Sequence, residues 1–483
     1  MNSSFKESDP TPTVALSASL PQLADAAEAH FLSTNNQDLT ARAKTASQLG
    51  MAPAVGPCIM TGHQAAFWHA GILAKYLATD HITSLLKPRF AGASNAHVVV
   101  DHDSNAPHFL AYPTQAGRSS AGANAADVSP RRGRVELSKA AARTPAVFLS
   151  PLLSQPLAPL LNDLTIPQGA REGLASIATV LKRHSDAPDA PKQIVAGLHD
   201  LLTSGPVPLC EQGTAIFATS LHKASTFESL IQEIASDARA CIQAYNDAVV
   251  AFPRARIAPL RCDASAIALP LWRLDAATMA REQVYAHELI DNSNITFPFE
   301  RCAPKALLLT LFLRRFACDL FVHGAGGGLY DQITNRWIAT WRPAWRLAPT
   351  AVISATLHLP FTQTDALPTP ADISSSQWKA HASLHNPALL GDEGMASTKL
   401  RFRDAIAATK GKDDAATRLV FKEMHAWLAV YREAHEQALA AIEERAGRLA
   451  NSAAAADVVY DRTWPFVYHS RESLLRLRSL LLE

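Results

Sequence analysis

The most constraining stretch of the chain is a strand, helix, strand pattern between residues 57 and 101. Pro57-Cys58-Ile59-Met60-Thr61 is a short apolar run that stops at Gly62. Helical spacing follows over about residues 67–86, where Ile72, Leu73, Tyr76 and Leu77 recur on one face. Ala96-His97-Val98-Val99-Val100 then reads as a buried, β-branched strand closed by Asp101. Strands joined through a helix begin a parallel α/β layer, so the expected fold class is α/β. Short apolar runs at Ala268-Leu269-Pro270-Leu271-Trp272 and Asp319-Leu320-Phe321-Val322 add strands, with Val207-Pro208-Leu209-Cys210 as a further candidate. The layer is thus expected to be assembled from distant parts of the chain.

At 483 residues the chain has room for about three domains, or two with a large helical insertion. Residues 1–50 read as an N-terminal helical extension: a loose start, then helices over 22–33 and 38–49. Residues 51–371 read as the α/β body with a helical insertion. Residues 114–134, rich in Gly, Ala, Ser and Arg, exceed the usual connection of about 2–6 residues and read as an exposed flap or insertion. Residues 372–455 read as an antiparallel helical hairpin. In its longest segment Val420, Met424, Trp427, Tyr431, Ala434, Ala438, Ala441 and Arg445 alternate in steps of four and three, as in a coiled coil. Residues 456–483 include Trp464-Pro465-Phe466-Val467-Tyr468-His469, expected as a strand or lid packing back on the body.

Lys and Arg number 45 against 44 Asp and Glu, a net charge of +1, which argues against non-specific nucleic-acid binding. The first thirty residues lack a basic segment leading into an apolar run. The most apolar stretch, near residues 306–322, is broken by Arg314, Arg315 and Asp319. A soluble, cytoplasmic protein without membrane or nucleic-acid partners is expected. The six cysteines form no Cys-x-x-Cys pair, so neither a zinc ribbon nor a disulfide framework is indicated.

Three polar segments sit at predicted strand ends, where open α/β sheets form their ligand crevice. In Thr61-Gly62-His63-Gln64, Gly62 lets the backbone approach a ligand and His63 could donate to a developing charge or shuttle a proton. Lys75 on the next helix could add a fixed positive charge. In Asp101-His102-Asp103-Ser104-Asn105, two carboxylates around one imidazole could bind a metal, hold an amine or work as an acid/base pair. The third segment is His323-Gly324-Ala325-Gly326-Gly327-Gly328-Leu329-Tyr330-Asp331, whose glycines could wrap a phosphate or sugar, with Arg301 and Lys305 upstream as anion contacts. It lacks the Lys-Ser/Thr ending of a Walker loop. His381, His385, His425 and His435 on the later helices read as surface or interhelical histidines.

In this order the motifs resemble those of the bacillithiol synthase family. Its members carry a Thr-Gly-Gln-Gln segment before a Lys-bearing helix, an apolar strand ending in Asp-His-Asp, and a later Gly-Gly-Pro-Gly-Glu…Tyr stretch. The counterparts here are Thr61 to Gln64 with Lys75, Asp101-His102-Asp103, and Arg301 through His323 to Tyr330. The resemblance implies a Rossmann-like body, a C-terminal coiled coil, and a ligase that adds a cysteine-like amine or thiol to a small molecule. Two residues depart from the pattern. His63 stands at the first Gln, which makes this loop similar to the His-containing nucleotide loop of nucleotidylyl transferases and class I tRNA synthetases. Gly328 lies near the place of the family's Glu.

On this reading His63, Lys75 and Asp103 are catalytic: His63 and Lys75 stabilise the transferring group, and Asp103 is the base for the nucleophile. Gly62, Gln64, Asp101, His102, Arg301, His323, Gly324, Gly326, Gly327, Tyr330 and Asp331 bind substrate. The cofactor is open, with ATP or ADP as candidates, and the helical hairpin could pair two copies into a homodimer. Two other readings stay open. One is a metal-dependent phosphoesterase whose ion is gathered by Asp101, His102, Asp103, His63 and His323; the other is a non-catalytic scaffold that only binds a ligand.

Overall fold

The computed structural model describes residues 11–104, 108–115, 130–141, 143–204, 208–211, 213–290, 297–361, 368–451 and 453–483. Asn105, Val207 and most of the 114–134 excursion lie outside them. The chain divides into two compact units. A body draws on the described residues of Ser8–Tyr112, Gly133–Leu359 and Arg462–Glu483, and a second unit on those of Pro113–Arg132 and Pro360–Asp461.

The body opens with strand β1 (Thr13–Leu16), which the loose composition of this region conceals, and continues into helices α1 (Leu20–Leu32) and α2 (Asn36–Gln48). Both helices start on side-chain caps. The Ser19 hydroxyl accepts from the Gln22 amide while the Gln22 side chain accepts from Ser19 N, and Asn35 accepts from Asp38 N. Next come β2 (Cys58–Gln64), α3 (Ala70–Leu86) and β3 (Ser94–Val100), the predicted strand, helix, strand unit. α3 starts later than its apolar spacing suggests because His69 bridges to Pro465 and takes the cap, its Nδ1 accepting from Gly71 N at 3.1 Å.

β4 (Phe109–Gln115) and β5 (Pro130–Glu136) pair as a two-stranded ribbon. A helical stretch holds α4 (Gln168–Arg183) and α5 (Ala190–Thr203), then β6 (Thr214–Phe217), α6 (Ser225–Ser236) and α7 (Ala238–Ala251). The described part of the 207–210 run is not a strand; the strand of this region is β6, a few residues later. β7 (Ala268–Asp275), β8 (Ala280–Tyr285) and, past α8 (His287–Ile290), β9 (Cys302–Pro304) make a separate three-stranded antiparallel sheet. The 268–272 run therefore does not join the main layer. Asp275 Oδ1 accepts from Ala277 N at 2.8 Å, closing an Asx turn that hands β7 its nearest partner in sequence.

α9 (Ala306–Phe316), β10 (Leu320–His323), α10 (Gly328–Trp341) and β11 (Thr350–Thr356) complete the main sheet, ordered β1-β11-β10-β2-β3-β6. All its neighbours pair in parallel except β1, which is antiparallel to β11. From β2 the chain adds β3 and β6 on one side, then returns to add β10 and β11 on the other. Alternation along the strands gives two apolar faces. Met60, Ala96, Val98 and Phe321 join one core with Phe227, Phe312 and Trp337 from α6, α9 and α10. His97 faces the other way, where Tyr76 of α3 meets its ring edge-on at 5.4 Å. At the opposite end of the sheet, Asp319 receives Arg42 Nη1 at 2.5 Å and Cys58 N at 3.0 Å, with His30 Nδ1 3.1 Å away, tying α1 and α2 to the strand starts.

In place of the expected C-terminal strand or lid, Phe466–Tyr468 is a single 3₁₀ turn. Phe466 N donates to Trp68 O at 2.6 Å and the Tyr468 hydroxyl to Ala111 O at 3.0 Å, so these aromatics serve packing. The second unit contains α11 (Pro370–Ser383), α12 (Glu393–Thr409), α13 (Asp414–Ala434), α14 (Glu436–Asn451) and α15 (Ala453–Val459). Gly411, at φ 75°, turns the chain between α12 and α13, which pack on each other, while α14 packs on α11. The helix predicted to run unbroken through residues 420–445 is interrupted at His435, whose Nε2 reaches Asp392 Oδ2 at 3.0 Å. Back in the body, α16 (Arg471–Leu482) lies against α3 and β1. No helix among the described residues is long and apolar enough to cross a membrane.

Candidate functional site

The parallel strands β2, β3 and β10 end side by side, so residues following them emerge at one edge of the sheet. Sheet order reverses between β2 and β10, and there the body opens a cavity of about 860 Å³. One wall comes from the β2 end, Gly62, His63 and Gln64, together with Lys75 from α3. His102 and Asp103 follow β3 into it. His323, Gly324, Gly326, Gly327 and Tyr330 close it after β10. The opposite wall is the small antiparallel sheet, which contributes Trp272, Arg281 and Gln283, with Lys305 at the start of α9.

Backbone proximity explains the glycines. A Cβ at Gly62 would stand 2.3 Å from Val98 Cγ1, so only glycine lets β2 and β3 close here. A Cβ at Gly327 would meet His323 Nδ1 at 2.5 Å. The Gly324–Gly327 turn is closed by Gly327 N donating to Gly324 O at 2.9 Å, and it feeds directly into α10, whose first turn has no side-chain cap. Gly324, Gly326 and Gly327 line the cavity, and a helix start without a side-chain cap leaves backbone amides available to an anionic group.

Lys75 is 3% exposed, and its Nζ donates to Gly62 O at 2.6 Å. Burial lowers its pKa to about 7, so the fixed charge expected of it is held by only about half the molecules at neutral pH. Burial, then the neighbouring Lys75, lowers His63 to about 3. His63 is accordingly neutral, and its Nδ1, 3.2 Å from Gln64 O, carries the proton, leaving Nε2 as an acceptor, which suits the shuttling of a proton better than donation to a developing charge. Asp103 is fixed at both oxygens: Gln64 Nε2 donates to Oδ2 at 2.8 Å and Arg281 Nη1 lies 3.6 Å from Oδ1. Arg281 also donates to Ser104 Oγ at 3.1 Å. Lys305 Nζ donates to Gln283 Oε1 at 2.5 Å and sits 3.9 Å above the Trp272 ring. Burial and the nearby Arg281 lower its pKa to about 8.

Three of the predicted site residues lie elsewhere. Asp101 is buried and turned toward the 3₁₀ turn after β6, where Thr219 donates to it from N at 3.0 Å and from Oγ1 at 2.5 Å. Asp331 sits behind the wall, its Oδ2 2.8 Å from His323 Nε2 and its Oδ1 3.4 Å from Arg314 Nη1. Arg301 is exposed and off the cavity wall. Of the donors of the metal reading, Asp101 is turned away and His63, His102, Asp103 and His323 line the cavity, but among the described residues no three His, Cys, Asp or Glu side chains gather to hold an ion. Arg281, Trp272, Gln283 and His69 are cavity residues that sequence reading missed. For the first three the available signal was the alternation of the β7–β8 hairpin, which pairs Trp272 with Gln283 and sets Arg281 two residues before it.

Among the described residues Asp103 is the only carboxylate on the cavity wall, against Lys75, Arg281, Lys305, Arg462 and Arg261, the last of which is paired with Asp263 off the wall. Such a wall suits an anionic ligand. The chain matches no protein-family model, and no curated protein matches it.

Proposed function

We propose that the chain is a ligase- or transferase-type enzyme with a Rossmann-like body, joining a cysteine-like amine or thiol to a small-molecule acceptor, as the resemblance to bacillithiol synthase implies; the cationic residues of the cavity wall favour an acidic acceptor. One observation carries the reading: segments more than two hundred residues apart converge on a single cavity whose wall is cationic but holds one positioned carboxylate. Arg281 and Lys305, with the amides of the Gly324–Gly327 turn, hold the acid groups of the acceptor. Asp103, oriented by Gln64 and Arg281, takes the proton from the incoming amine or thiol. The protonated form of Lys75 offsets negative charge that develops on the acceptor as the bond forms. ATP or ADP would bind along the same wall if the acceptor needs activation.

A thermal-shift series tests this, with ATP, ADP, cysteine, amino-sugar conjugates and divalent cations against the protein and its Arg281→Ala and Asp103→Asn variants. A ligand at a hundred times its dissociation constant adds about 2.7 kcal/mol of stability. Stabilisation by an anionic ligand that is lost in Arg281→Ala, together with turnover lost in Asp103→Asn, is the expected result. Stabilisation by a metal ion alone would overturn the proposal in favour of a phosphoesterase. Binding without turnover in any combination would leave a scaffold.

A further inference from the structure

We propose that Lys75 is a nucleophilic amine that forms an imine with a small 2-oxo acid held in the cavity. The inference rests on the reading of this cavity as a small-molecule site, and in it Lys75 acts as the free amine in place of the charge-offsetting ammonium proposed above. A buried ammonium group is ordinarily paired with a carboxylate. Lys75 pairs with none among the described residues; its one hydrogen bond is to the carbonyl of Gly62. Its stem passes Gly324, where a Cβ would lie 3.8 Å from Lys75 Cδ, and Ile72, Val98, His63 and His69 line the same cavity. The site is thus built for an uncharged amine, and burial lowers its pKa to about 7, which leaves the lone pair free on a large fraction of molecules at neutral pH. The turn beside the lysine stem supplies what the acid half of such a substrate needs: Gly324–Gly327 leads into the uncapped start of α10, and His323 packs against it.

The step is a condensation without redox change. The Nζ lone pair attacks the carbonyl carbon, and an amine proton passes to the carbonyl oxygen to give the carbinolamine. The nitrogen then loses its remaining proton as the hydroxyl departs, the two leaving as water while the C=N bond forms. One amine and one carbonyl give one imine and one water, and hydrolysis runs the same path backward.

The test incubates the full chain with pyruvate and sodium cyanoborohydride, whose hydride reduces the imine to a stable secondary amine, and maps the product by peptide mass spectrometry. A saturable adduct of one reduced pyruvate at Lys75, absent from Lys75→Arg and suppressed by lactate, is the expected result. Modification confined to exposed lysines, or no adduct, overturns the proposal, and because the mapping is done on the unaltered chain this holds even if Lys75→Arg fails to fold. Lactate has the acid but no carbonyl, so its thermal shift reports separately on the site. Stabilisation by lactate with no adduct would remove the imine and leave the anion site standing; no stabilisation and no adduct would remove both.

Discussion

Replacing Lys75 by methionine removes a buried amine while keeping an unbranched chain of similar length, and its effect on stability should depend on pH in a calculable way. In the unfolded chain the amine titrates near its ordinary 10.5, and in the fold near 7. Between those values the unfolded state holds a proton that the folded state has released, so stability rises with pH through this window and is flat below it. At about 1.4 kcal/mol per pH unit, the native lysine costs about 4 kcal/mol of folding free energy at pH 7 and about 2 kcal/mol at pH 9. Methionine carries no such cost. It loses the hydrogen bond to Gly62 O and leaves that carbonyl unpaired, an offset of about 1–3 kcal/mol that does not vary with pH. His63, held neutral by burial, contributes no slope in this range. Urea unfolding followed by tryptophan fluorescence, with Trp68 stacked on Tyr76 of α3 as a local reporter, should show the gap between variant and parent shifting by about 2 kcal/mol in favour of the parent from pH 7 to pH 9. A gap that stays constant would refute the claim that this amine is desolvated in the fold.

Other outcomes follow from the same geometry. Asp319→Asn leaves Arg42 buried without its charge partner and should cost about 3–5 kcal/mol in chemical denaturation, whereas Arg403→Ala, at an exposed ion pair, should change stability by less than about 0.5 kcal/mol. Gly62→Ala forces a methyl group against Val98 and should lower stability by about 1–3 kcal/mol, read as a fall in melting temperature. Asp103→Asn removes the base and sets an amide donor against Gln64 or Arg281, so turnover should fall about a hundredfold or more while stability falls by about 1–3 kcal/mol.

Much of the sheet is legible in the residues because burial on both faces leaves β-branched runs such as Val98-Val99-Val100, and turn chemistry marks their ends. The strands that escape notice do so for physical reasons. β1 pairs only with β11 at the sheet margin; its apolar run Val14-Ala15-Leu16 is short, mostly not buried and set among Ser, Thr and Pro, so it does not stand out. β6 is four residues long and partly exposed. β11 carries a readable signal in Ala351, Val352 and Ile353 but lies between segments that look helical or irregular. The site divides in a similar way. Residues that leave strand ends of the main sheet could be placed on one edge from their spacing alone. Arg281 and Trp272 could not, because the hairpin that presents them meets the sheet only through tertiary packing. Asp101 misleads for a related reason: it sits at a strand end, yet its carboxylate is drawn back by Thr219, a residue more than a hundred positions away.

The charge balance of the cavity makes a last prediction about protons rather than residues. Arg281 lies beside Asp103 and is partly neutralised by it, whereas among the described residues the Lys305 ammonium meets the neutral amide of Gln283 and the face of Trp272. Burial and the repulsion of Arg281 hold Lys305 near 8, so at pH 8 about half of the molecules have it uncharged. An anion bound beside it favours the ammonium form and raises that pKa, which obliges the complex to take up protons from solution as it forms. Calorimetric titration with oxalate at pH 8, in two buffers of different ionisation heat, measures that uptake directly. Lys75, largely neutral at pH 8, adds to it if the anion reaches its end of the cavity. The expected uptake approaches about half a proton from Lys305 alone and loses that part in Lys305→Gln. Equal heats in both buffers would mean that the bound anion sits against neither Lys305 nor Lys75, and would move acid recognition to the glycine turn.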